Sequence, residues 1–352
     1  MKFKNRYKSL TLAPFCYSTP SMGTSSKMVI FLLLPQIVML LITKSYMSVF
    51  QIAISIIAAI VADMIYSFFA KKSFYPSITV FLQGMLIGFF VPQGYSLSLL
   101  FFVVIFSLIL NYYLFGGFAQ SWINPVAITV IFLYLLGTKF FPDYTLNILH
   151  LQSPNVGQQL VNDGLIPKIN NDANITNFLN AKLFKYAGVA LPEGYVSLFW
   201  DTNSLIPAFR FNLLTIIATI VLISYGGIKW IIPCVFLFVY GALVRIFGLF
   251  PFGGILYKGD ILLAIFSSGT IMTAFLLLQW PGTIPLSIIG KVIYGLLAGI
   301  FAFLIMGCGT SPIGAMFVIL ITNTLSTIIQ FIEDLVYQKI LRLRGNKDDR
   351  EN

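Results

Sequence analysis

The sequence predicts an all-α membrane protein of about ten transmembrane helices, arranged as two inverted five-helix repeats with interrupted helices at the centre. Three observations carry this expectation. The 352 residues are 58% hydrophobic and 10% charged, against roughly 45–50% and 25% for a soluble domain. Apolar runs recur along the chain at lengths near the roughly 20 residues that cross a ~30 Å hydrocarbon core. Two of these runs are broken in a similar way, at Gly116-Gly117-Phe118-Ala119-Gln120-Ser121-Trp122-Ile123-Asn124-Pro125 and at Gly307-Cys308-Gly309-Thr310-Ser311-Pro312-Ile313-Gly314. Glycine is entropically costly in a helix, and proline lacks the N–H and clashes with the preceding turn. Hydrocarbon tolerates such a break only where the freed backbone is buried in protein or lines a polar cavity. Paired breaks in the two halves of a chain point to a central site.

In chain order, residues 1–27 are basic and polar with Pro14, Pro20 and Gly23, and read as an irregular cytoplasmic arm. Residues 28–137 hold the first five spans, near 28–42, 48–69, 78–91, 97–115 and 124–136, the third being interrupted by Gln83-Gly84. Residues 138–208 are the one long polar stretch, carry both signs of charge, and read as a folded or partly folded extracytoplasmic loop. Residues 209–332 hold the second five spans, near 211–225, 231–250, 261–278, 286–306 and 313–331, and 333–352 form a basic cytoplasmic tail. No cleavage site follows the first apolar run, so it reads as a retained span. An even number of spans puts both termini on one side. Basic flanks mark that side as cytoplasmic, with Lys71, Lys72 and Lys229 also inside. The expected location is the inner (cytoplasmic) membrane.

The halves also match internally. Val91-Pro92-Gln93-Gly94 and Trp280-Pro281-Gly282-Thr283 each open a turn before an apolar helix, a glycine pair and a polar-proline step. Pro92 to Pro125 spans 33 residues and Pro281 to Pro312 spans 31. Upstream, Gln83-Gly84 and Ser267-Ser268-Gly269-Thr270 both place small or polar residues inside a span. Five spans per half invert the second half in the membrane, with a pseudo-two-fold axis in its plane.

The residues that could carry chemistry are few. Charge inside a membrane costs about 2.5–3.5 kcal/mol on insertion scales. Asp63, in the second span, reads as a carboxylate near the inner interface or as a proton or cation relay on an ion path. Arg245, near the outer end of the seventh, reads as an interfacial snorkelling side chain or as a ligand of an anionic headgroup or cofactor phosphate. Gln83, Asn124, Ser267, Ser268, Thr270, Thr310 and Ser311 offer uncharged hydrogen bonds beside the breaks. They suit a planar polar ligand or a narrow pore, or they cap the interrupted helices. Glu333, Asp334 and Lys291 sit at span ends and read as interfacial. Cys16, Cys234 and Cys308 are scattered, which excludes a local disulfide framework or cysteine metal motif. His150 is the single histidine, so a metal centre is not expected. Asn174-Ile175-Thr176 fits a glycosylation acceptor by spacing only. No P-loop, dinucleotide turn or nucleophile triad is present, no catalytic residue is assigned, and nucleic-acid binding by the basic ends is set aside beside so many spans.

Phe115-Gly116-Gly117…Ile123-Asn124-Pro125 resembles a segment of the NqrB/RnfD family, the membrane subunits of sodium-pumping NADH:quinone reductase and of the Rnf electron-transport complex. So do Gln83-Gly84-Met85-Leu86-Ile87-Gly88…Pro92, the early Ser26…Met28, and the pattern Ala274-Phe275…Pro281…Gly290…Tyr294-Gly295…Gly299…Gly309…Pro312…Gly314…Phe317…Asn323. The resemblance covers most of the chain. It implies a urea-channel-like fold, other subunits of a membrane electron-transport complex as partners, and flavin as cofactor. The family's covalent FMN attachment sequence has no match here. Asp163-Gly164-Leu165-Ile166-Pro167 is the nearest stretch and lacks the threonine acceptor. Where the family has a glycine-rich Glu-Thr segment, the chain reads Asn203 to Asn212, Asn-Ser-Leu-Ile-Pro-Ala-Phe-Arg-Phe-Asn. The expected flavin, FMN or riboflavin, is therefore non-covalent, with Gln83, Asn124, Ser268, Thr270, Ser311 and Arg245 as pocket-lining candidates. The expected function is a membrane component of an Rnf- or Nqr-like ion-translocating complex. The alternative is a channel or transporter for a small neutral solute on the same fold.

Overall fold

A computed structural model describes residues 20–71, 77–113, 122–143, 155–188, 190–248, 259–307 and 311–351. The Gly116–Ser121 part of the first break, Cys308-Gly309-Thr310 of the second, Cys16, Lys72 and His150 lie outside the described residues. Among the described residues the secondary structure is helical throughout. In the first half, α1 is Met22–Ile42, α2 Tyr46–Phe69, α3 Ile78–Phe89, α4 Leu97–Leu108 and α5 Pro125–Leu136. The middle loop holds α6 (Val156–Asn162), α7 (Asp172–Lys182) and α8 (Tyr195–Trp200). The second half holds α9 (Asn212–Ser224), α10 (Ile231–Phe247), α11 (Ile261–Ser267), α12 (Thr270–Met272), α13 (Ile288–Ala302) and α14 (Gly314–Glu351). Single π-helical turns follow α4 at Ile109–Tyr113, α12 at Thr273–Leu277 and α13 at Phe303–Gly307.

Four helical stretches are long and apolar enough to cross a membrane: Met22–Ile42, Tyr46–Phe69, Ile288–Gly307 and Gly314–Lys339. The shorter apolar helices are different objects. α3 and α5 have 12 residues each, about 18 Å at 1.5 Å per residue, short of a ~30 Å core. One end of each is buried in the protein, Phe89 of α3 and Pro125 of α5. α2 packs on α3 and α4, α10 on α11 and α13, α4 on α5, and α13 on α14. The halves meet where α1 packs on α9 and α5 on α14.

Several boundaries differ from the sequence expectation. α1 begins at Met22, inside the expected arm, because Ser21 caps it: its Oγ accepts from Thr24 N at 3.3 Å. α14 runs unbroken through the expected tail to Glu351, passing Gly345-Asn346 without a stop, with no proline after Phe331. α3 runs unbroken through Gln83-Gly84, contrary to the expected interruption. Gly84 stays helical because α2 lies too close for a side chain. A Cβ there would sit 2.6 Å from Ile56 Cα and 2.8 Å from Ser55 O. Four residues on, Gly88 meets Ile52 Cα in the same way. This glycine-x-x-x-glycine spacing lets two membrane helices touch backbone to backbone. Ser55 adds a hydrogen bond across the seam, its hydroxyl donating to Gly84 O at 2.7 Å. In the second half the same device sits on α13, where Gly295 and Gly299 face Ile232 O and Val239 of α10.

The loop folds around Asp172, which is buried. Its carboxylate accepts from Thr176 Oγ1 at 3.1 Å, Gly194 N at 3.3 Å, Ser197 N at 3.1 Å and the Ser197 hydroxyl. That ties α7 to the start of α8, and α8 rests on α9 and α11.

Candidate functional site

The two halves are joined at a buried polar knot around the π-turn Thr273–Leu277. Asn124 supplies one strand of it. As N-cap of α5, its Oδ1 accepts from Val126 N at 2.9 Å, the ordinary satisfaction of an orphan helix donor. Its Nδ2 donates to Leu277 O of the other half, also at 2.9 Å. The chain reversal after the π-turn leaves Leu277 O only a longer backbone bond, from Trp280 N at 3.3 Å, and a side chain of α13 comes close to the next carbonyl. Tyr294 Oη, from α13, lies 3.3 Å from Leu278 O and donates to Asn323 Oδ1 of α14 at 2.8 Å. Asn124, Tyr294 and Asn323 are fully buried.

α14 continues the grip along the reversal. Ser326 donates to Thr283 O at 2.6 Å and Gln330 to Ile284 O at 3.2 Å. Glu333 accepts from Leu286 N at 3.0 Å, Ser287 N at 3.2 Å and the Ser287 hydroxyl. Asn323, Ser326, Gln330 and Glu333 are spaced 3, 4 and 3 residues apart, which places them on one face of a helix. That stripe was legible in the sequence and was missed; Glu333 was expected only at the interface.

Among the described residues some buried polar side-chain atoms have no partner. Both amide atoms of Gln83, Thr273 Oγ1 and Asn323 Nδ2 are buried and unpaired. Each such group costs about 1–3 kcal/mol. α3 approaches the π-turn here: Leu82 and Leu86 share a cavity of about 70 Å³ with Phe275, Leu276 and Trp280. Gln279 lines it with an unpaired Nε2, its Oε1 taken by Lys229 N at 2.8 Å.

The other predicted residues fall elsewhere. Ser268 and Thr270 flank the break between α11 and α12, and both are buried. Their hydroxyls donate to Ala264 O and to Ile265 O (2.6 Å), carbonyls of α11, as Ser267 does to Leu263 O at 2.6 Å. Gly269 turns left-handed at φ +66° against the ring of Phe209, and Asn212 Nδ2 closes the broken end by donating to Phe266 O at 2.9 Å. Ser311 is half-buried before α14, its carbonyl accepting from Gly314 N at 3.3 Å. Arg245 is exposed on the last turn of α10, beside a groove of Leu237, Phe238, Ile246 and Ile261. Asp63 is half-buried and accepts from Tyr113 Oη at 2.9 Å, next to the π-turn after α4.

A buried ion pair was not foreseen. Arg210 Nε donates to Asp201 Oδ1 at 2.8 Å, its second nitrogen to Oδ2, and its third to Ser45 Oγ of the first half at 2.8 Å. Its guanidinium lies 4.8 Å from the ring of Phe211, which holds a left-handed φ of +49° at the N-cap of α9. The sequence clue was an arginine between two phenylalanines at the start of a span. Another missed contact ties the loop to the broken helix: Tyr195 donates its hydroxyl to Asp260, the N-cap of α11. Burial, and then the hydrogen bond and charge of Asp260, push the Tyr195 pKa up, so the tyrosine stays a donor.

Four of the six residues expected to line a flavin pocket are engaged with the chain itself or exposed. Asn124, Ser268 and Thr270 direct their hydrogen bonds to the chain itself. Arg245 faces apolar neighbours, and the large cavity against the middle loop is lined by apolar and aromatic side chains. No electron step is routed through flavin on these residues.

A helical chain with spanning-length apolar helices, shorter apolar helices between them, and a buried polar break at Ser267–Thr270 is a multi-pass membrane protein. It belongs to the NQR2, RnfD, RnfE family, whose model matches residues 9–338. Among its relatives, the D subunit of the ion-translocating oxidoreductase complex of Actinobacillus succinogenes is 24% identical over 343 residues, 89% of this chain and 93% of that protein. The protein of the same name from Aliivibrio salmonicida is 22% identical over 349 residues, 92% of this chain and 95% of its own.

Proposed function

We propose that this chain is the D-type membrane component of an ion-translocating oxidoreductase complex, set in a cytoplasmic membrane with both termini on the cytoplasmic side. The observation that carries this reading is the family match over nearly the whole chain, with relatives of that name aligned end to end. The basic residues Lys71, Lys229 and those at the end of α14 support the orientation.

The chain is proposed to be an inverted repeat, α1 to α5 matching α9, α10, α11–α12, α13 and α14. The contact pattern supports it. α2 packs on α3 and α4 as α10 does on α11 and α13, and α1 packs on α3 as α9 does on α12. Both cross-half seams, α1 on α9 and α5 on α14, pair an element with its own mate, as a two-fold axis requires. Both fourth helices, α4 and α13, end in a π-turn directly before a break.

In this reading the broken centre lies near the membrane midplane and serves ion movement. Gln83, Thr273 and Asn323 hold open polar atoms there, and Asp63 with Tyr113 supplies the carboxylate of the ion path. The test is genetic and biochemical together. The tagged chain, extracted from its own membranes in mild detergent, is expected to carry redox subunits in fixed stoichiometry. Its deletion is expected to abolish Na⁺ or H⁺ movement driven by that redox reaction. A chain that purifies alone, and whose loss leaves redox-driven ion movement intact, overturns the reading; flux of a neutral solute through vesicles holding the chain alone would replace it with the channel.

A further inference from the structure

A chamber of about 700 Å³ lies where the middle loop meets the membrane helices. Leu179 and Phe184 close it from the side of α7, Tyr195 and Phe199 from α8, and Leu213 and Phe266 from α9 and α11. All its lining residues are apolar or aromatic. Native interiors hold few voids larger than a water molecule. Water is a poor filler here, because a buried water needs two to four polar partners, and apolar cavities instead take apolar guests. The one phenol on the wall, Tyr195, already spends its proton on Asp260. The first turns of α9 and α11 supply Leu213 and Leu262 to its lining, and in the proposed topology the chain enters the membrane there, so the guest at hand is hydrocarbon. Lys182 and Lys185, both exposed, flank the lining residues Leu179 and Phe184 on the loop side.

We propose that this chamber holds one acyl chain of an anionic membrane phospholipid, with its headgroup at Lys182 and Lys185. The occupied chamber locks the loop onto the starts of α9 and α11. The site is independent of the redox assignment, since it needs only the bilayer.

The probe is a phosphatidylglycerol with a diazirine in mid-chain, introduced into native membrane vesicles containing the full-length chain. After irradiation, label is expected to concentrate on peptides from 169–200 and 261–266, above its density on the lipid-facing side of α10 around Phe238. It is expected to saturate and to be competed away by unlabelled phosphatidylglycerol. Leu179→Trp and Leu213→Trp fill the chamber from opposite walls, and each is expected to remove this label while sparing that on α10. The α10 label also reports that the variant is inserted and folded. Lys182→Gln with Lys185→Gln leaves the chamber open, and is expected to lower labelling by phosphatidylglycerol more than by the matching phosphatidylcholine probe. Label no denser than on α10, or label unchanged in both tryptophan variants, overturns the proposal. So does preferential labelling by a diazirine-bearing prenyl chain, which would assign the chamber to an isoprenoid tail.

Discussion

Gln83-Gly84 and Ser268-Gly269, which the proposed repeat sets at matching places in the two halves, do opposite things. At Gly84 the helix continues, because the missing side chain is filled by the backbone of α2. At Gly269 the helix stops, because the residue turns left-handed and the ring of Phe209 occupies the space. The same local sequence signal, a glycine beside a small polar residue inside an apolar run, therefore has two outcomes. The neighbour decides between them: a close helix keeps glycine helical, and an intruding ring lets it break. The consequence spreads. In the first half the close partner of α2 is α3, through Gly84 and Gly88. In the second half the third element is broken, and the glycine seam on α10 passes to α13.

The largest way to break this difference is at the group that fixes Phe209. Arg210→Met leaves Asp201 buried without its counter-charge. Stability is expected to fall by about 3–5 kcal/mol, read as thermal unfolding of the purified protein, with the break at Gly269 losing its protection from hydrogen exchange. Retained stability would mean that the ion pair does not hold the broken end. Next is the seam itself. Gly84→Ala must push backbone against backbone and is expected to cost about 3 kcal/mol, the upper end for overpacking. Gly295→Ala meets Ile232 O at 3.0 Å and Val235 Cβ at 3.1 Å, and is expected to cost about 1 kcal/mol. Equal losses would show that the two glycine seams are equivalent after all.

How far these features were legible depended on the range of the interaction that makes them. The apolar runs gave the helices, because burial in lipid acts on each segment alone. The capping alternative for Asn124 was legible, because capping is local: side chain to backbone two residues on. The fate of Gln83-Gly84 was misread, since it depends on Ile56 of another helix. Arg210 and Asp201 lie nine residues apart in a stretch without periodicity, so nothing in the pattern pairs them. Ser268 and Thr270 drew notice as polar groups in a span, yet they turn back to carbonyls of α11. A sequence shows a donor but not its acceptor. The stripe Asn323, Ser326, Gln330 and Glu333 is the exception, a tertiary grip with helical spacing that could have been counted.

Smaller effects sharpen the comparison at the knot. Asn124→Ala removes a cap, worth about 1 kcal/mol, and leaves Leu277 O with only the 3.3 Å bond from Trp280 N. Tyr294→Phe removes one hydroxyl bond, about 0.5–1.5 kcal/mol. Their double mutant is expected to lose less than the sum, because Asn124–Leu277 and Tyr294–Asn323 belong to one buried knot; strict additivity would show that the two tethers act apart.

The smallest effect on stability is expected at Gln83, and it separates structure from function. Replacing a buried polar group that lacks partners by an apolar one of similar shape is close to neutral or stabilising. Gln83→Leu is thus expected to leave the unfolding temperature unchanged or higher. If the amide is open because a moving ion or its water needs it, redox-driven ion movement falls in the same variant while the complex still assembles. Ser268→Ala is the matched control in the other half, since its hydroxyl is already used by Ala264 O; ion movement is expected to persist there. Loss of transport in both, or in neither, would remove Gln83 from the path and leave it as a purely structural liability of the unbroken α3.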